Sequence, residues 1–350
     1  MASSMIPPEV WLHVNHYLNW SADLAALAQV NRKFYDIFQR EVYLAAVRED
    51  NADIIVKSAS TGNLRTLQHA LSYGADLNKV YPAEAPPRLK NWVERAGRHD
   101  SNVILSKACF ATPLHLAAKH GHYDTVRWLL DQNVDTELPG RFLCQCLPVG
   151  IMGTLGQPDD VSDGVPGWTP LHLAICNRQV AVARLLLSSG ASQSVRVNHS
   201  SSKFPHFNRS FYGDSSIGLD PTRYRGPMVV SALHSAAYSG TKPIITHLVR
   251  DLKTDINKRF EMIGATPLYY AIAASDLSSI VLLLSLGARP EVPFVGSTKY
   301  QTYDSALEFA LVSKKTDAAL QLLTQPGAAW HNPPESPIRA TCISNIWHRV

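Results

Sequence analysis

Three histidines lie close together in the stretch "ATPLHLAAKHGHYDTVRWLLDQ", which covers residues 111–132. His115, His120 and His122 fall within eight positions of one another. Imidazoles at this spacing could ligate a metal ion, act as general acid and base, or hold a turn together by hydrogen bonds. The recurrence of the same stretch elsewhere in the chain decides among these interpretations.

Two cysteines, Cys144 and Cys146, form another spacing that could bind metal. A structural zinc site needs four ligands, and the flanking "RFLCQCLPVG" supplies none. We therefore interpret the pair as two thiols in a loop. The five cysteines of the chain have no framework spacing, which is typical of a reducing compartment. No metal and no cofactor is expected.

The histidine-bearing stretch recurs along the chain. "TPLHLAICNRQVAVARLLLSSGA" begins at Thr169, "SALHSAAYSGTKPIITHLV" at Ser231 and "TPLYYAIAASDLSSIVLLLSLGA" at Thr266. Weaker copies begin at Asp53 and Ser305, which makes six units. A catalytic group has no reason to recur once per structural unit, so the histidines are interpreted as scaffold.

The recurring pattern resembles the ankyrin repeat, whose signature is T-P-L-H-x-A. Pro113 at a first helical position needs no N–H donor, and Thr112 before it can cap the helix. The resemblance implies a pair of helices in each unit, with the histidine hydrogen-bonded to the turn. Tyr269 and Glu308 replace that histidine in the last two units, so those turns must be held differently. The predicted structural turn residues are Thr112, His115, Thr169, His172, His234 and Thr266.

Long insertions separate the first four units. Residues 80–107, 136–166 and 194–226 lengthen the spacing by roughly 24 to 29 residues over a regular 33-residue unit. In stacked repeats such insertions emerge as loops on one face, which is often the binding face. The second insertion has a net charge of −3 and the third a net charge of +3.

Aromatic side chains are interleaved with arginines in the third insertion. This composition is typical of protein-binding hot spots and also of single-strand nucleic-acid platforms. A loop whose rings only fold back onto the repeats is the remaining alternative. The chain as a whole has 33 Lys and Arg against 29 Asp and Glu, too small a surplus to argue for a specific nucleic-acid partner. The candidate partner-binding residues are Phe204, Phe207, Arg209, Phe211, Tyr212, Arg223, Tyr224 and Arg225.

The segment before the repeats, residues 6–44, has helical patterns that begin near Pro7, Asp23 and Asn31. It resembles an F-box, whose pattern is Leu-Pro-x-Glu-hydrophobic, then Asp-Leu, then Val-x-Arg-aromatic. Ile6 in place of Leu, and Pro8 beside Pro7, depart from this pattern. The matching residues are Ile6, Pro7, Glu9, Val10, Leu18, Asp23, Leu24, Leu27, Val30, Asn31, Arg32, Phe34 and Tyr35.

The F-box resemblance implies a partner, the small linker protein Skp1 of cullin-based ubiquitin ligases. The alternative is a cap that hides the apolar end of the first repeat, as solenoids require. The two roles can coexist. The candidate Skp1-binding residues are Ile6, Pro7, Val10, Val14, Leu18 and Leu24.

These patterns together predict an all-α chain with a three-helix F-box-like segment at residues 4–48 and an ankyrin-repeat α-solenoid at residues 51–328. In the tail, residues 329–350, only Ile343, Ile346 and Trp347 are expected to dock, as a cap. The repeats are placed near 51–79, 110–135, 167–192, 230–258, 264–290 and 304–328.

The resulting functional hypothesis is a substrate-recognition subunit of a Skp1-cullin-F-box ubiquitin ligase, whose repeats hold an unknown protein substrate. The alternative is an ankyrin scaffold or transcriptional coregulator that acts without Skp1. No G-x-S-x-G or P-loop motif is present, so the chain is not expected to be an enzyme. A hydrophobic content of 45% and the lack of a signal-peptide pattern or a membrane-length apolar run favour a folded protein of the cytoplasm, the nucleus or both.

Overall fold

The computed structural model describes residues 7, 10, 21–48, 52–84, 109–138, 140, 168–197, 228–259, 264–295 and 302–324. Within these residues, two N-terminal helices precede six helix pairs. The N-terminal helices are α1 (Ser21–Ala28) and α2 (Arg32–Arg48). The first three pairs are α3 (Ala52–Thr61) with α4 (Leu64–Ser72), α5 (Pro113–His120) with α6 (Tyr123–Asp131), and α7 (Pro170–Cys176) with α8 (Val180–Ser188).

The last three pairs follow the same plan. They are α9 (Ala232–Ser239) with α10 (Lys242–Thr246), α11 (Pro267–Ala274) with α12 (Leu277–Ser285), and α13 (Ala306–Val312) with α14 (Thr316–Leu323). Helix α10 continues directly into a π-helical turn (His247–Asp251). Each helix pair packs against the next one along the chain, so the pairs form a stack.

The first helix of a repeat begins as the sequence predicts. Thr112, Thr169 and Thr266 have extended backbone conformations immediately before a proline that occupies the first helical turn. Proline fits there because its missing N–H has no partner within the helix. Gly121 then ends α5 with φ of 78°, a left-handed conformation that glycine adopts without a steric penalty.

A single hydrophobic core runs from Ile55 in the first repeat to Leu322 in the last. The leucine of each T-P-L-H equivalent lies inside it, and Leu114, Leu171, Leu233 and Leu268 are at most 1% exposed. Alanines such as Ala117 and its equivalents are also buried, which lets neighbouring helices approach closely. The predominantly helical repeat architecture is therefore confirmed.

Short antiparallel ribbons connect successive repeats and depart from the all-α prediction. Strand β1 (Tyr81–Pro82) pairs with β2 (Phe110–Ala111), β3 (Ser194–Val197) with β4 (Met228–Ser231), and β5 (Phe294–Val295) with β6 (Thr302–Tyr303). An isolated antiparallel bridge joins Gly140 to Trp168. The physical reason is that the chain leaving one repeat and the chain entering the next are both extended and run side by side. The ends of the insertions placed at 80–107 and 194–226 are therefore strands.

The two N-terminal helices have a small core of their own. Leu24, Phe34 and Phe38 are buried within it, and the rings of Phe34 and Phe38 stack with centroids 6.0 Å apart. Asn31 caps α2 as predicted, because its Oδ1 accepts from the Phe34 N–H at 3.0 Å. Of the first predicted helix, the structure describes only Pro7 and Val10.

The far end of α2 contacts the first repeat. Tyr43 and Val47 pack against the repeat core. The Tyr43 ring stacks on two rings of that repeat, with its centroid 5.6 Å from that of His69 and 5.7 Å from that of Tyr73. Helix α2 therefore belongs to both the N-terminal core and the end of the stack.

Candidate protein-interaction surface

The turn at Thr112 is braced by His115. The Nε2 of His115 lies 2.8 Å from the Trp168 carbonyl oxygen, which can only accept, so Nε2 carries the proton. Nδ1 is then the acceptor, and it receives the Thr112 N–H at 3.2 Å and the Thr112 hydroxyl at 2.7 Å. Because Trp168 immediately precedes the next repeat, this histidine joins two repeats as well as bracing its own turn.

The environment of this brace keeps the imidazole neutral. His115 is fully buried, and burial lowers its pKa to about 4 from the ordinary 6.5. His234 is also fully buried, and burial lowers its pKa to about 4 as well. Neutral imidazoles with one donor and one acceptor nitrogen match the hydrogen bonds that these turns need.

The hydroxyl–imidazole half of this brace recurs in the third and fourth repeats. Thr169 Oγ1 lies 2.9 Å from Nδ1 of His172, and Ser231 Oγ lies 2.7 Å from Nδ1 of His234. Nε2 of His234 donates to the Ala265 carbonyl at 3.1 Å, again just before the next repeat. Ser231 thus takes the place of threonine in the fourth repeat. The turn residues predicted from the sequence did not include it.

The last two turns are held in the different ways that their sequences require. The Tyr269 hydroxyl donates to the Val292 carbonyl. Because tyrosine stands in place of the histidine, Thr266 has no imidazole to pair with. Among the described residues its buried hydroxyl has no hydrogen-bond partner. In the sixth repeat, Glu308 Oε2 accepts from the Asp304 N–H at 2.8 Å, while Ser305 Oγ accepts from the Glu308 N–H at 3.3 Å. This reciprocal arrangement is close to a capping box.

The three neighbouring histidines have separate structural surroundings. His115 is buried in its turn, whereas Nε2 of His122 donates to the Ser60 carbonyl of the preceding repeat at 2.7 Å. The His120 and His122 rings stack with centroids 6.2 Å apart. Across the part of the chain that the structure describes, no group of three His, Cys, Asp or Glu could hold a metal ion. Cys144 and Cys146 lie outside the described residues.

Side chains at the start of the second helix link the second, fourth and sixth repeats to the repeat before each of them. His122 occupies this position in the second repeat, and Thr241 in the fourth donates to the Ile175 carbonyl at 3.0 Å. In the sixth repeat, Lys315 donates to Ser275 Oγ at 2.7 Å. We call this row the turn ladder. The sequence pattern identifies only His122 of this row. Thr241 and Lys315 are different residue types at the same position and therefore share no motif with it.

A second row of hydrogen bonds lies at the opposite ends of the helices. Three backbone N–H groups donate to side chains of the preceding repeat, each at 2.8 Å: Asp135 to Asn78, Ser192 to Glu137, and Arg289 to Asn257. The ribbons connecting the repeats arise beside this row. We call this side of the stack the ribbon edge.

The insertions all leave the stack at the ribbon edge. Ribbon β1–β2 brackets the first insertion, the Gly140–Trp168 bridge brackets the second, and ribbon β3–β4 brackets the third. Sequence-distant loops are therefore attached along one side of the stack. The candidate partner-binding residues of the third insertion lie outside the described residues: Phe204, Phe207, Arg209, Phe211, Tyr212, Arg223, Tyr224 and Arg225.

The candidate Skp1-binding residues fall into three groups. Pro7 and Val10 are exposed, Val10 by 50%. Leu24 is only 1% exposed, so its assignment to a binding surface is corrected, because it fills the small N-terminal core instead. Two apolar residues that the prediction did not select are exposed, Val30 by 63% and Tyr35 by 42%. The remaining candidates, Ile6, Val14 and Leu18, lie outside the described residues.

Comparison with known families agrees with the repeat geometry. Residues 35–197 match the family model described as ankyrin repeats, in three copies. Three ankyrin repeats are thus recognised within residues 35–197. Such repeats imply a protein–protein interaction scaffold. The match begins at residue 35, within the segment that resembles an F-box.

Curated relatives share only part of the chain. The transient receptor potential channel pyrexia of Drosophila melanogaster is 31% identical over 129 residues, covering 37% of this chain and 10% of the channel. The mitochondrial disaggregase of Homo sapiens is 29% identical over 126 residues, covering 35% of this chain and 18% of the disaggregase. The matched regions are thus a small part of each relative.

Two solved structures are similar to this chain over most of its length. The human ASB11 ankyrin repeat domain has a TM-score of 0.47 and 18% identity, and the match covers 83% of this chain and 96% of that domain. A chain from the complex of the Bd0816 predatory endopeptidase of Bdellovibrio bacteriovorus with immunity protein Bd3460 has a TM-score of 0.45 and 20% identity. That match covers 78% of this chain and 98% of the other. None of the described helices is both long and apolar enough to cross a membrane.

Proposed function

We propose that this protein is a non-enzymatic adaptor whose ankyrin repeats hold a protein substrate and whose N-terminal segment binds a Skp1-like linker of a cullin-based ubiquitin ligase. The observation that carries the proposal is the division between two cores. Leu24, Phe34 and Phe38 pack with one another, whereas the repeats share a separate continuous core. Two separate cores in one chain are consistent with a protein that binds a different partner at each end.

The N-terminal helices have apolar surface available for a linker. Val10, Val30 and Tyr35 are at least 42% exposed, and the last two lie close in sequence to members of the buried N-terminal cluster. A few well-packed residues near the centre of an interface, tyrosine prominent among them, supply most of its binding energy. The Skp1 contact is therefore proposed for Val10, Val30 and Tyr35, together with Pro7.

The substrate is proposed to bind along the ribbon edge. Three insertions begin and end there, and a partner lying along this edge would meet loops of opposite net charge, −3 in the second insertion and +3 in the third. Aromatic and arginine side chains of the third insertion are the proposed anchors. Substrate selectivity would then depend on these loops rather than on the packed helices.

A second candidate function is an ankyrin scaffold or coregulator that never binds Skp1. Two observations favour it. Tyr43 and Val47 pack on the first repeat, as a cap requires, and the ankyrin family match already begins at residue 35. In this alternative the N-terminal helices stabilise the stack and bind no linker.

A binding assay with purified Skp1 distinguishes the two functions. In the full chain, Val30→Asp with Tyr35→Asp should weaken Skp1 binding at least about 100-fold, because each buries a charge in an apolar contact. The matched control is Tyr123→Asp, a residue 40% exposed in the second repeat. If the wild type does not bind Skp1, or if all variants bind it equally, the adaptor function is refuted and the scaffold function replaces it.

The ribbon-edge proposal is tested by deleting residues 198–222. The thermal melting curve should change little, since ribbon β3–β4 already holds the ends of this insertion together. Proteins that co-purify with the wild type should be depleted from the deletion variant. An unchanged set of co-purifying proteins would remove the third insertion from the binding surface.

A further inference from the structure

The second helix of every repeat has an outward-facing position four residues after its first residue. In the first three repeats this position holds a polar or charged side chain, whereas in the last two it holds an apolar one. Val281 is 42% exposed and Leu320 is 37% exposed. In chain order the residues at this position are Gln68, Arg127, Arg184, Thr246, Val281 and Leu320.

These two residues lie at equivalent positions of two adjacent helices. Helices α12 and α14 pack side by side, so Val281 and Leu320 are neighbours on the same outer face. Leu277, one turn before Val281, is 39% exposed and extends the face along α12. Helix α12 contains no charged residue at all, unlike α6 or α14. We call Leu277, Val281 and Leu320 the outer strip.

The size of the outer strip argues against a separate protein as its main occupant. Three partly exposed side chains offer far less than the ~800 Å² that each partner buries in a stable protein interface. A segment of the same chain needs much less contact, because a short tether gives an effective concentration in the millimolar range. The strip is therefore suited to a tethered occupant.

The chain supplies such a segment immediately after α14. Residues 325–350 follow the last described residue, and within them Ile343, Ile346, Trp347 and Val350 recur at intervals of three and four. This spacing is typical of one apolar face of a helix. The 19 residues from Thr324 to Ile343 can span up to about 60 Å. The neighbouring helices that carry the strip lie only about 8 to 10 Å apart.

We propose that residues 343–350 form an amphipathic helix that docks on the outer strip, with Trp347 covering Val281 and Leu320. The cap predicted for this tail would then bind at a defined place, the outer face of the last two repeats. This inference is independent of any Skp1 contact, because the strip and the N-terminal helices lie at opposite ends of the stack.

Hydrogen–deuterium exchange of the intact chain tests the docking. Amides of residues 343–350 should be protected in the wild type, and Val281→Glu should accelerate their exchange about tenfold or more, the loss expected when one large apolar contact disappears. The matched control is Gln68→Glu, which places the same side chain at the equivalent position of the first repeat. It should leave exchange of the tail unchanged.

The reciprocal variant, Trp347→Asp, keeps the repeats intact and should accelerate exchange in α12 and α14 but not in α6. Circular dichroism of each variant verifies that its repeats are folded. Tail amides that exchange at the unstructured rate in the wild type, or equally fast in the Val281→Glu and Gln68→Glu variants, would overturn the proposal. Protection that disappears on dilution would also overturn it, because the strip would then be covered by a second copy of the chain.

Discussion

Lowering the pH from 7 to 4 is expected to weaken the repeat stack through His115 and His234. Both are fully buried, and burial lowers their pKa in the folded chain to about 4, against 6.5 ordinarily. Between these values the unfolded chain binds protons that the folded chain does not. The contribution of each histidine to stability is therefore complete above pH 6.5 and is lost progressively as the pH falls to 4.

The magnitude follows from the size of the pKa difference. One pKa unit corresponds to about 1.36 kcal/mol, so each histidine accounts for on the order of 3 kcal/mol of stability lost across this range. Two histidines together account for roughly 6 kcal/mol, a large part of the 5 to 15 kcal/mol that typically stabilises a folded protein. Mild acid should therefore reduce stability before most carboxylates titrate.

Urea unfolding followed by circular dichroism between about pH 7 and pH 5 measures this dependence. The variants His115→Gln and His234→Gln should each lower the free energy of unfolding at pH 7 and should each reduce its slope against pH. The physical reason is that glutamine can form hydrogen bonds but does not titrate. Variants with the same slope as the wild type would refute the assignment of the acid sensitivity to these buried braces.

Two further predictions concern the turns. Thr112→Val should cost about 1 to 3 kcal/mol of unfolding free energy, because it removes a hydroxyl that is bonded to a buried imidazole. Thr266→Val should be neutral or stabilising, because the hydroxyl that it removes is buried without a hydrogen-bond partner among the described residues. Equal losses in urea unfolding would contradict this difference between the two turns. Gly62→Ala should destabilise by more than the ~1 kcal/mol of a left-handed alanine, since its Cβ would lie 2.6 Å from Nδ1 of His122, whose Nε2 is held by the Ser60 carbonyl. Gly190→Ala, with nothing within 4 Å of its Cβ, should cost only the backbone penalty, and matching melting temperatures would count against the contact.

The sequence predicts the repeats well because their signature is local. Thr112, Pro113 and His115 lie within four positions, and their helix start and turn geometry follow from short-range sterics and hydrogen bonding. The carbonyl that accepts from His115 could not be predicted. Trp168 is 53 residues away, beyond an insertion of unpredictable path, so only the stacking of repeats reveals the contact.

The N-terminal segment shows a second limit of sequence analysis. The F-box pattern selects Leu24 and Tyr35 equally, but it does not state what each one faces. Leu24 is buried against α2, while Tyr35 is 42% exposed. The contact of Tyr43 with the first repeat is similarly absent from the pattern, because it depends on how two separate cores meet.

The paired strands at the base of each insertion have a consequence for how this protein can diverge. A ribbon fixes the two ends of an insertion about 4.8 Å apart, so the loop is closed whatever its length. Doubling the length of such a loop then costs only about 0.6 kcal/mol of additional closure entropy. Loops of new length and composition can therefore replace the present ones while the helices beneath keep their packing. The ribbon pairs Val197–Met228 and Pro82–Phe110 are accordingly the positions at which foreign recognition loops could be grafted onto this stack.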